Sequence, residues 1–262
     1  MNIHHRSFNI LGNIAVVNFS DKTKLKDKKT FAREILKKNQ NIKTILEKSG
    51  KFSGRLRKMK TKYLAGEKNK EVLYRENNCV FRFNIDTTYF SPRLSNERKE
   101  IASLIKKNDE VLVMFAGVGP YSICIAKNSG VKVYSNEINR EANKYAELNI
   151  KLNKVKDKIE LIPGDIKKVA EEFKKKKQKF DVIVMPRPRL KETFLKEAFL
   201  LSKKGTRIFY YDFCKIEDEN KIIEKIKNEA KKARKKIKIL KIKQAGEIAP
   251  YKIRIRIDFE VL

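Results

Sequence analysis

The stretch DEVLVMFAGVGPYSICIAK, residues 109–127, decides the fold. Its apolar run enters a turn carrying Gly117 and Gly119, and the turn opens straight into a helical pattern. Glycines there let the backbone bend sharply and bring its amides close to a ligand with no Cβ between them. Outward from this turn, from about residue 95, short apolar strands alternate with amphipathic helices. The strands fall at 110–114, 131–135, 158–162, 181–185 and 206–211, with helical patterns at 139–153 and 190–203. That alternation predicts an α/β domain with an open, mostly parallel sheet covered on both faces. The rhythm breaks in the tail, where IKILKIK and YKIRIRIDFEV predict an antiparallel pair of edge strands.

Upstream the pattern is different. FNILGNIAVVNF, residues 8–19, predicts strand, turn and strand. Phe31, Ile35, Ile42, Ile45 and Leu46 recur at roughly helical spacing, which predicts two short helices broken near Asn39. Two β-rich runs follow at 60–65 and 71–85, split by a turn. Residues 1–92 therefore form a small α+β domain, and residues 93–262 the larger α/β domain.

Composition narrows the chemistry. Lys and Arg number 63 against 32 acids, a net charge of +31, which attracts polyanions such as nucleic acid. Lysine-rich solvated faces such as KKARKKIKILK inflate the same count, so charge alone leaves the partner open. Cys79, Cys124 and Cys214 lie far apart among apolar residues, the setting of buried reduced thiols rather than of a metal site. With only His4 and His5, both at the N-terminus, a histidine-based zinc site or a Ser–His–Asp triad is not expected. No metal is implied. No apolar run reaches the roughly 18 residues of a membrane span. The N-terminus also lacks a signal-peptide core, so the expectation is a cytoplasmic protein.

Ligands of an α/β sheet bind at the carboxyl ends of its strands, where the glycine turn lies. The turn lacks the third glycine of the dinucleotide fingerprint and the Gly-Lys-Ser/Thr of a phosphate loop. The second strand ends on Glu137 in VYSNEIN, where a carboxylate can accept hydrogen bonds from both hydroxyls of a ribose. The third ends on Asp165 in LIPGDI, placed to meet an adenine edge. Each acid alone is also an ordinary strand-end turn residue.

Glycine turn, Glu137 and Asp165 in that order resemble the class I S-adenosylmethionine (SAM) methyltransferases, with their Rossmann-like sheet. A narrower resemblance covers nearly the whole chain. YFSPRLSNERKEIA (89–102), NREANKYAELNIKLNKV (139–155) and IFYYDF (208–213) are similar to the archaeal and eukaryotic tRNA guanine-37 N1-methyltransferases. SFNILGNIAVVNF, NIKTILEKSGKFSGRLR, YLAGE and YRENNCVFRFNI resemble that family's RNA-side domain. The extra N-terminal domain with which some members read the tRNA elbow is not expected here.

The resemblance implies SAM as cofactor, held by Tyr89, Arg98, Phe115, Gly117, Glu137, Ile138, Asp165 and Ile166. It implies tRNA as partner, bound at position 37 of the anticodon loop, and a monomeric enzyme. Methylating N1 of guanine requires loss of the N1 proton while negative charge builds on O6. A carboxylate base near N1 and a cation near O6 meet those needs. By resemblance Glu97 is the base and Arg57 the O6 stabiliser. Their plain alternatives are a first-turn helix carboxylate and a solvated cation. Arg93, Pro186 and Pro188 are expected around the base, with Pro92 helping to shape the pocket.

Two departures matter. Many members end the fourth strand on an asparagine, whereas this chain has MPRPR, residues 185–189. Prolines stiffen the loop and donate no backbone hydrogen bond. That segment resembles the archaeal branch that also methylates C7 of 4-demethylwyosine, giving isowyosine. Val113 stands where an acid is common. GKFSGRLRKMKTKY and PRPR are expected to offer cations to RNA. The alternatives are an aminocarboxypropyl transferase of the wyosine pathway and a non-catalytic tRNA-binding protein.

Overall fold

The computed structural model describes residues 5–50 and 54–262. His4 and residues 51–53 of the basic segment lie outside the described residues. The chain divides into two compact units, Met1–Pro92 and Arg93–Leu262.

In the smaller unit, strands β1 (His5–Leu11), β2 (Ile14–Phe19), β3 (Thr44–Lys48) and β4 (Thr61–Gly66) form one sheet in chain order. Helix α1 (Leu25–Lys38) crosses between β2 and β3, which run parallel. Ala32 and Ile35 of α1 join Ala15, Val17, Phe19, Ile45 and Leu64 in one core. The second helix expected after Asn39 is instead β3. Thr44, Ile45 and Leu46 are all fully buried. Burial of consecutive side chains on both faces suits a strand between two neighbours, and a helix would turn one of them outward. Asn39 ends the helix, its side-chain amide donating to the Ile35 carbonyl at 2.9 Å.

The β-rich run over 71–85 is a hairpin, β5 (Glu71–Glu76) and β6 (Cys79–Asn84). Asn77 and Asn78 at its tip have φ of 47° and 59°. A two-residue hairpin turn with both φ positive matches the twist of the strands, and asparagine tolerates it better than other side chains. Phe81 and Phe83 of the hairpin pack on Phe90, with Phe83 stacked at 4.7 Å.

The larger unit holds a seven-stranded sheet. Its strands are β7 (Val111–Met114), β8 (Val133–Glu137), β9 (Ile159–Pro163), β10 (Phe180–Met185), β11 (Ser202–Lys215), β12 (Ile237–Ala249) and β13 (Lys252–Val261). Across the sheet the order is β12-β13-β11-β10-β7-β8-β9. Helices α2 (Ser95–Ser103), α3 (Pro120–Ser129), α4 (Arg140–Leu152), α5 (Ile166–Lys175), α6 (Leu195–Leu200) and α7 (Glu219–Lys232) lie between and before the strands. Strands β7 to β11 are parallel, and β13 and β12 add antiparallel. The chain builds outward from β7 to β8 and β9, then returns to place β10 and β11 on its other side. This reversal opens a crevice at the carboxyl end of β7.

Every residue of β7 is fully buried, Val113 included, as expected of a central parallel strand. The fifth strand is longer than the expected 206–211. Its pairing with β10 ends at Tyr210, but pairing with β13 carries it on to Lys215. Among the described residues no helix is long and apolar enough to cross a membrane.

Candidate active site

The glycine turn sits at the carboxyl end of β7, in the crevice. Phe115 opens it at φ 59°, a left-handed conformation that costs a bulky residue about 1–3 kcal/mol. Gly119 caps α3 at φ 85°, and a Cβ there would meet Ile123 at 3.2 Å. Pro120, at the first position of α3, gives up no needed hydrogen bond.

Glu137, at the end of β8, closes on this turn. Its Oε2 accepts from the Gly117 amide at 2.8 Å and its Oε1 from the Asn139 amide at 2.7 Å. Burial pushes its pKa above the ordinary carboxylate value, against the opposing pull of the Asn139, Gly117 and Ile138 amides. A carboxylate offers about four acceptor directions, so these backbone amides leave it acceptor capacity for a ribose hydroxyl. Asp165 caps α5, accepting from the Lys167 amide at 3.0 Å, so its plain role as a helix cap is present alongside any ligand role. Phe115 and Ile138 are half-buried and Ile166 is buried, and the Phe115 ring lies edge-on to Phe194 at 4.9 Å.

Three buried or half-buried asparagines hold this frame. The Asn136 amide donates to the Ile162 and Gly164 carbonyls at 2.8 and 3.1 Å, tying the end of β8 to that of β9. Asn149 of α4 donates to the Val118 carbonyl inside the glycine turn at 3.0 Å, and Asn143 to the Glu137 carbonyl at 2.9 Å. Sequence reading missed all three. For Asn143 and Asn149 the available signal was asparagine on the inner face of an amphipathic helix, where a polar residue needs a partner; Asn136 lies in β8.

Glu97 and Arg98 lie in the first turn of α2, exposed by only 5% and 1%. Helix α2 rests on α3, as the Cys124 thiol against the Arg98 carbonyl at 3.6 Å shows. The Arg98 guanidinium stands 5.8 Å from the ring of Tyr121. Glu97 Oε2 accepts from the Tyr211 hydroxyl at 3.0 Å and from Arg256 at 2.7 Å, and Oε1 accepts from Lys243 at 2.6 Å. Tyr211 also meets Tyr121 edge-on at 6.0 Å, so Glu97 is linked through two rings to the first turn of α3. Burial pushes the Tyr211 pKa well above its ordinary value, so it serves as a donor only.

The cations around Glu97 come from the tail hairpin. Lys243 and Arg256 are directly opposite each other on β12 and β13. Like charges in that position repel. Glu97, Glu100 and Asp258 offset them: Arg256 also reaches Glu100 at 2.7 Å and Asp258 at 2.8 Å, and Lys243 bonds Glu100. Burial tends to raise the Glu100 pKa, but its bonds to Arg256, Lys243 and Lys241 win and hold it at about 2. A carboxylate held below its ordinary 4.5 contributes stability that is complete above pH 4.5 and lost as pH falls toward about 2. Acid unfolding followed by circular dichroism is expected to show that loss, and Glu100→Gln to flatten it. An unchanged acid profile in the variant would remove Glu100 from the network's account.

At the end of β10, MPRPR differs from expectation in one respect. Pro186 and Pro188 are half-buried and Arg189 is exposed, but Arg187 turns inward at 2% exposure. It pairs with Asp212 of β11 and donates to the carbonyls of Leu190 and Glu192 at 3.1 and 3.0 Å. Arg187 is therefore not a cation offered to RNA. A buried Asp212, further held by Tyr210 at 2.9 Å, recruits it. Arg93 is exposed just ahead of α2.

In the smaller unit, Arg57 follows the turn begun at Gly54 and has φ 53°. That strained backbone lays its guanidinium over the ring of half-buried Tyr89, 4.1 Å from the centroid. Among the described residues no group of His, Cys, Asp and Glu could hold a metal ion. Cys79 and Cys124 are buried free thiols as expected, whereas Cys214 is only half-buried.

Comparison with known proteins places this geometry. Residues 72–240 match the TRM5/TYW2 methyltransferase domain, and residues 2–69 the TYW2 N-terminal domain. The tRNA (guanine(37)-N(1))/4-demethylwyosine(37)-methyltransferase Taw22 of Nanoarchaeum equitans is 33% identical over 98% of this chain and the whole of its own. The aTrm5 structure in complex with tRNALeu superposes with a TM-score of 0.84 at 28% identity, covering 98% of this chain and 72% of that one. Methanocaldococcus jannaschii Trm5 in complex with adenosine gives 0.82 at 29%, covering 98% and 74%.

Proposed function

Because this chain belongs to the TRM5/TYW2 methyltransferase family, we propose that it is a SAM-dependent tRNA methyltransferase acting on N1 of guanosine 37. It acts also on C7 of 4-demethylwyosine at the same position, as a cytoplasmic monomer. The observation that carries the reading is Glu137 closing on the Gly117 amide at the carboxyl end of β7, with acceptor capacity left for a ribose. The second activity is supported by the name of the Nanoarchaeum relative and by the proline-stiffened segment 186–188.

Gly117, Glu137, Ile138, Asp165 and Ile166 hold the adenosine end of the cofactor, with Phe115, Tyr89 and Arg98 toward its other end. Bound there, SAM supplies a methyl group made electrophilic by the positive sulfur beside it. The protein's own part is proton and charge control. Glu97 takes the N1 proton of the guanine, and Arg57 donates to O6 as negative charge builds there. The N1–methyl bond forms as the sulfur–methyl bond breaks. Of the two Glu97 oxygens, Oε1 is the one whose partner can leave. Lys243 is half-buried and already shared with Glu100, so it stays paired when it lets go. Arg93, Pro186 and Pro188 border the flipped base, which must leave its stack to be reached.

The test is direct. Wild-type protein is incubated with SAM labelled in its methyl group or, in a parallel reaction, in its carboxylate, and with tRNA bearing guanosine or 4-demethylwyosine at position 37, and the digested nucleosides are identified by mass spectrometry. Methyl label in 1-methylguanosine and isowyosine is expected. Label entering only from the carboxylate of SAM identifies the aminocarboxypropyl alternative, and no label at all a binding protein. Glu137→Ala is expected to weaken SAM about tenfold or more in titration calorimetry, the cost of losing a hydrogen-bonding charge. As the Glu137 pKa is raised, its charged form is lost on acidification earlier than for an ordinary carboxylate. SAM affinity is therefore expected to fall as pH drops toward that raised value, and to be flat in Glu137→Gln.

A further inference from the structure

The tail hairpin has a second feature that the proposed chemistry leaves unused. Strand β11 runs five residues beyond the last β10 pair at Tyr210, about 17 Å of strand rising past the carboxyl edge of the sheet. Against it lies a pocket of about 320 Å³ lined by Arg189, Phe213, Lys215, Asp218, Ile248 and Lys252, with Cys214 at its side. Burial pushes the Cys214 thiol up to about 11, so it is a wall and not a nucleophile. The pocket is basic. Asp218 is taken by Lys221 at 2.6 Å and Lys215 by Glu217 at 3.1 Å, while neither Arg189 nor Lys252 pairs with an acid among the described residues.

Above it stands the β12–β13 turn. Ala249 pairs with Lys252, so Pro250 and Tyr251 form a two-residue loop. Proline suits the first of those positions. The second, with φ of 59°, is one that glycine or asparagine fills without strain. Here it carries a tyrosine, 81% exposed, with Ile248 and Ile216 beside it at 46% and 51%. A bulky residue in that conformation costs about 1–3 kcal/mol and gains no burial in return. Strain of this kind, spent on presenting an aromatic ring to solvent, points to a contact outside the chain.

A flat aromatic beside unpaired cations is how proteins hold single-stranded nucleic acid: rings stack on bases and cations meet phosphates. Arg189 directly follows the Pro-Arg-Pro segment, which puts this pocket next to the loop expected to border the target base. We infer that Tyr251 and the Arg189–Lys252 pocket form a subsite for an unpaired RNA nucleotide neighbouring the flipped base. Tyr251 stacks on its base, and Arg189 and Lys252 take its phosphate. This rests on the tRNA methyltransferase reading and adds to it Tyr251 and Lys252, which the sequence patterns left unassigned, beside Arg189 of the PRPR segment.

The test uses the full chain and a fluorescent anticodon stem–loop RNA, followed by anisotropy over a range of salt concentrations. Tyr251→Ala is expected to weaken binding about tenfold while Tyr251→Phe keeps it, as stacking needs the ring and not the hydroxyl. Tyr251→Gly is expected to weaken binding equally while melting no lower than wild type, because glycine relieves the strained turn. The Arg189→Ala, Lys252→Ala double variant is expected to flatten the salt dependence by about one phosphate's worth. In turnover assays these variants raise KM for tRNA and leave kcat and SAM affinity unchanged. Wild-type affinity in both Tyr251→Ala and the double variant would overturn the subsite. Failure of wild-type protein to methylate tRNA would instead overturn the enzymatic reading, since anisotropy reads the pocket without turnover.

Discussion

Glu97→Gln lowers turnover with tRNA by about 10²- to 10⁴-fold, the usual worth of a positioned base, and changes SAM affinity by no more than about twofold. The substitution keeps shape and one acceptor oxygen but cannot take the N1 proton. Its structural cost is contained. Arg256 keeps Asp258 and Glu100, and Lys243 keeps Glu100, so no cation is left buried alone. Loss of one charged partner among several costs about 1–3 kcal/mol, and the protein remains folded. Single-turnover kinetics with tRNA, SAM calorimetry and a melting curve on one preparation separate the three quantities. A variant that keeps wild-type turnover across neutral pH would leave Glu97 as only the centre of a structural ion network.

Asp212→Ala produces the largest loss of stability, about 3–5 kcal/mol, because it strands a buried arginine without its counter-charge. Arg187 and Asp212 side chains are exposed by only 2% and 5%. Arg187 would retain its carbonyl partners, but these do not neutralise it. For a unit of this size the melting temperature is expected to fall by roughly 6–20 °C. Because Arg187 also fixes the loop bordering the expected base site, activity should fall further than the melting curve accounts for. Arg187→Met together with Asp212→Leu should recover stability but not activity, since an apolar pair of similar volume tolerates burial that a broken ion pair does not. A loss below about 1 kcal/mol in Asp212→Ala would mean that solvent reaches this pair after all.

Much of the larger unit was legible because its information is local. Apolar runs separated by amphipathic helices specify parallel strands, and Gly117, Gly119, Glu137 and Asp165 lie at strand ends wherever the strands end. The smaller unit was less legible. Ile42, Ile45 and Leu46 fit helical and strand spacing equally well, and only burial between β2 and β4 selects the strand. The hairpin over 71–84 turns on two asparagines at positive φ, a weaker signal than Asn-Gly.

The sequence by itself determined the order of strands and helices in the larger unit, its glycine turn and the basic character of the chain, since each depends on neighbours a few residues apart. Tertiary structure alone decided what surrounds Glu97, why Arg187 turns inward, and where Tyr251 is presented. Glu97 meets Lys243 and Arg256 across separations of 146 and 159 residues, and Arg187 meets Asp212 across 25. Electrostatic partners are chosen by distance in space and by exclusion of water. Both are set only when the antiparallel tail closes against the parallel sheet.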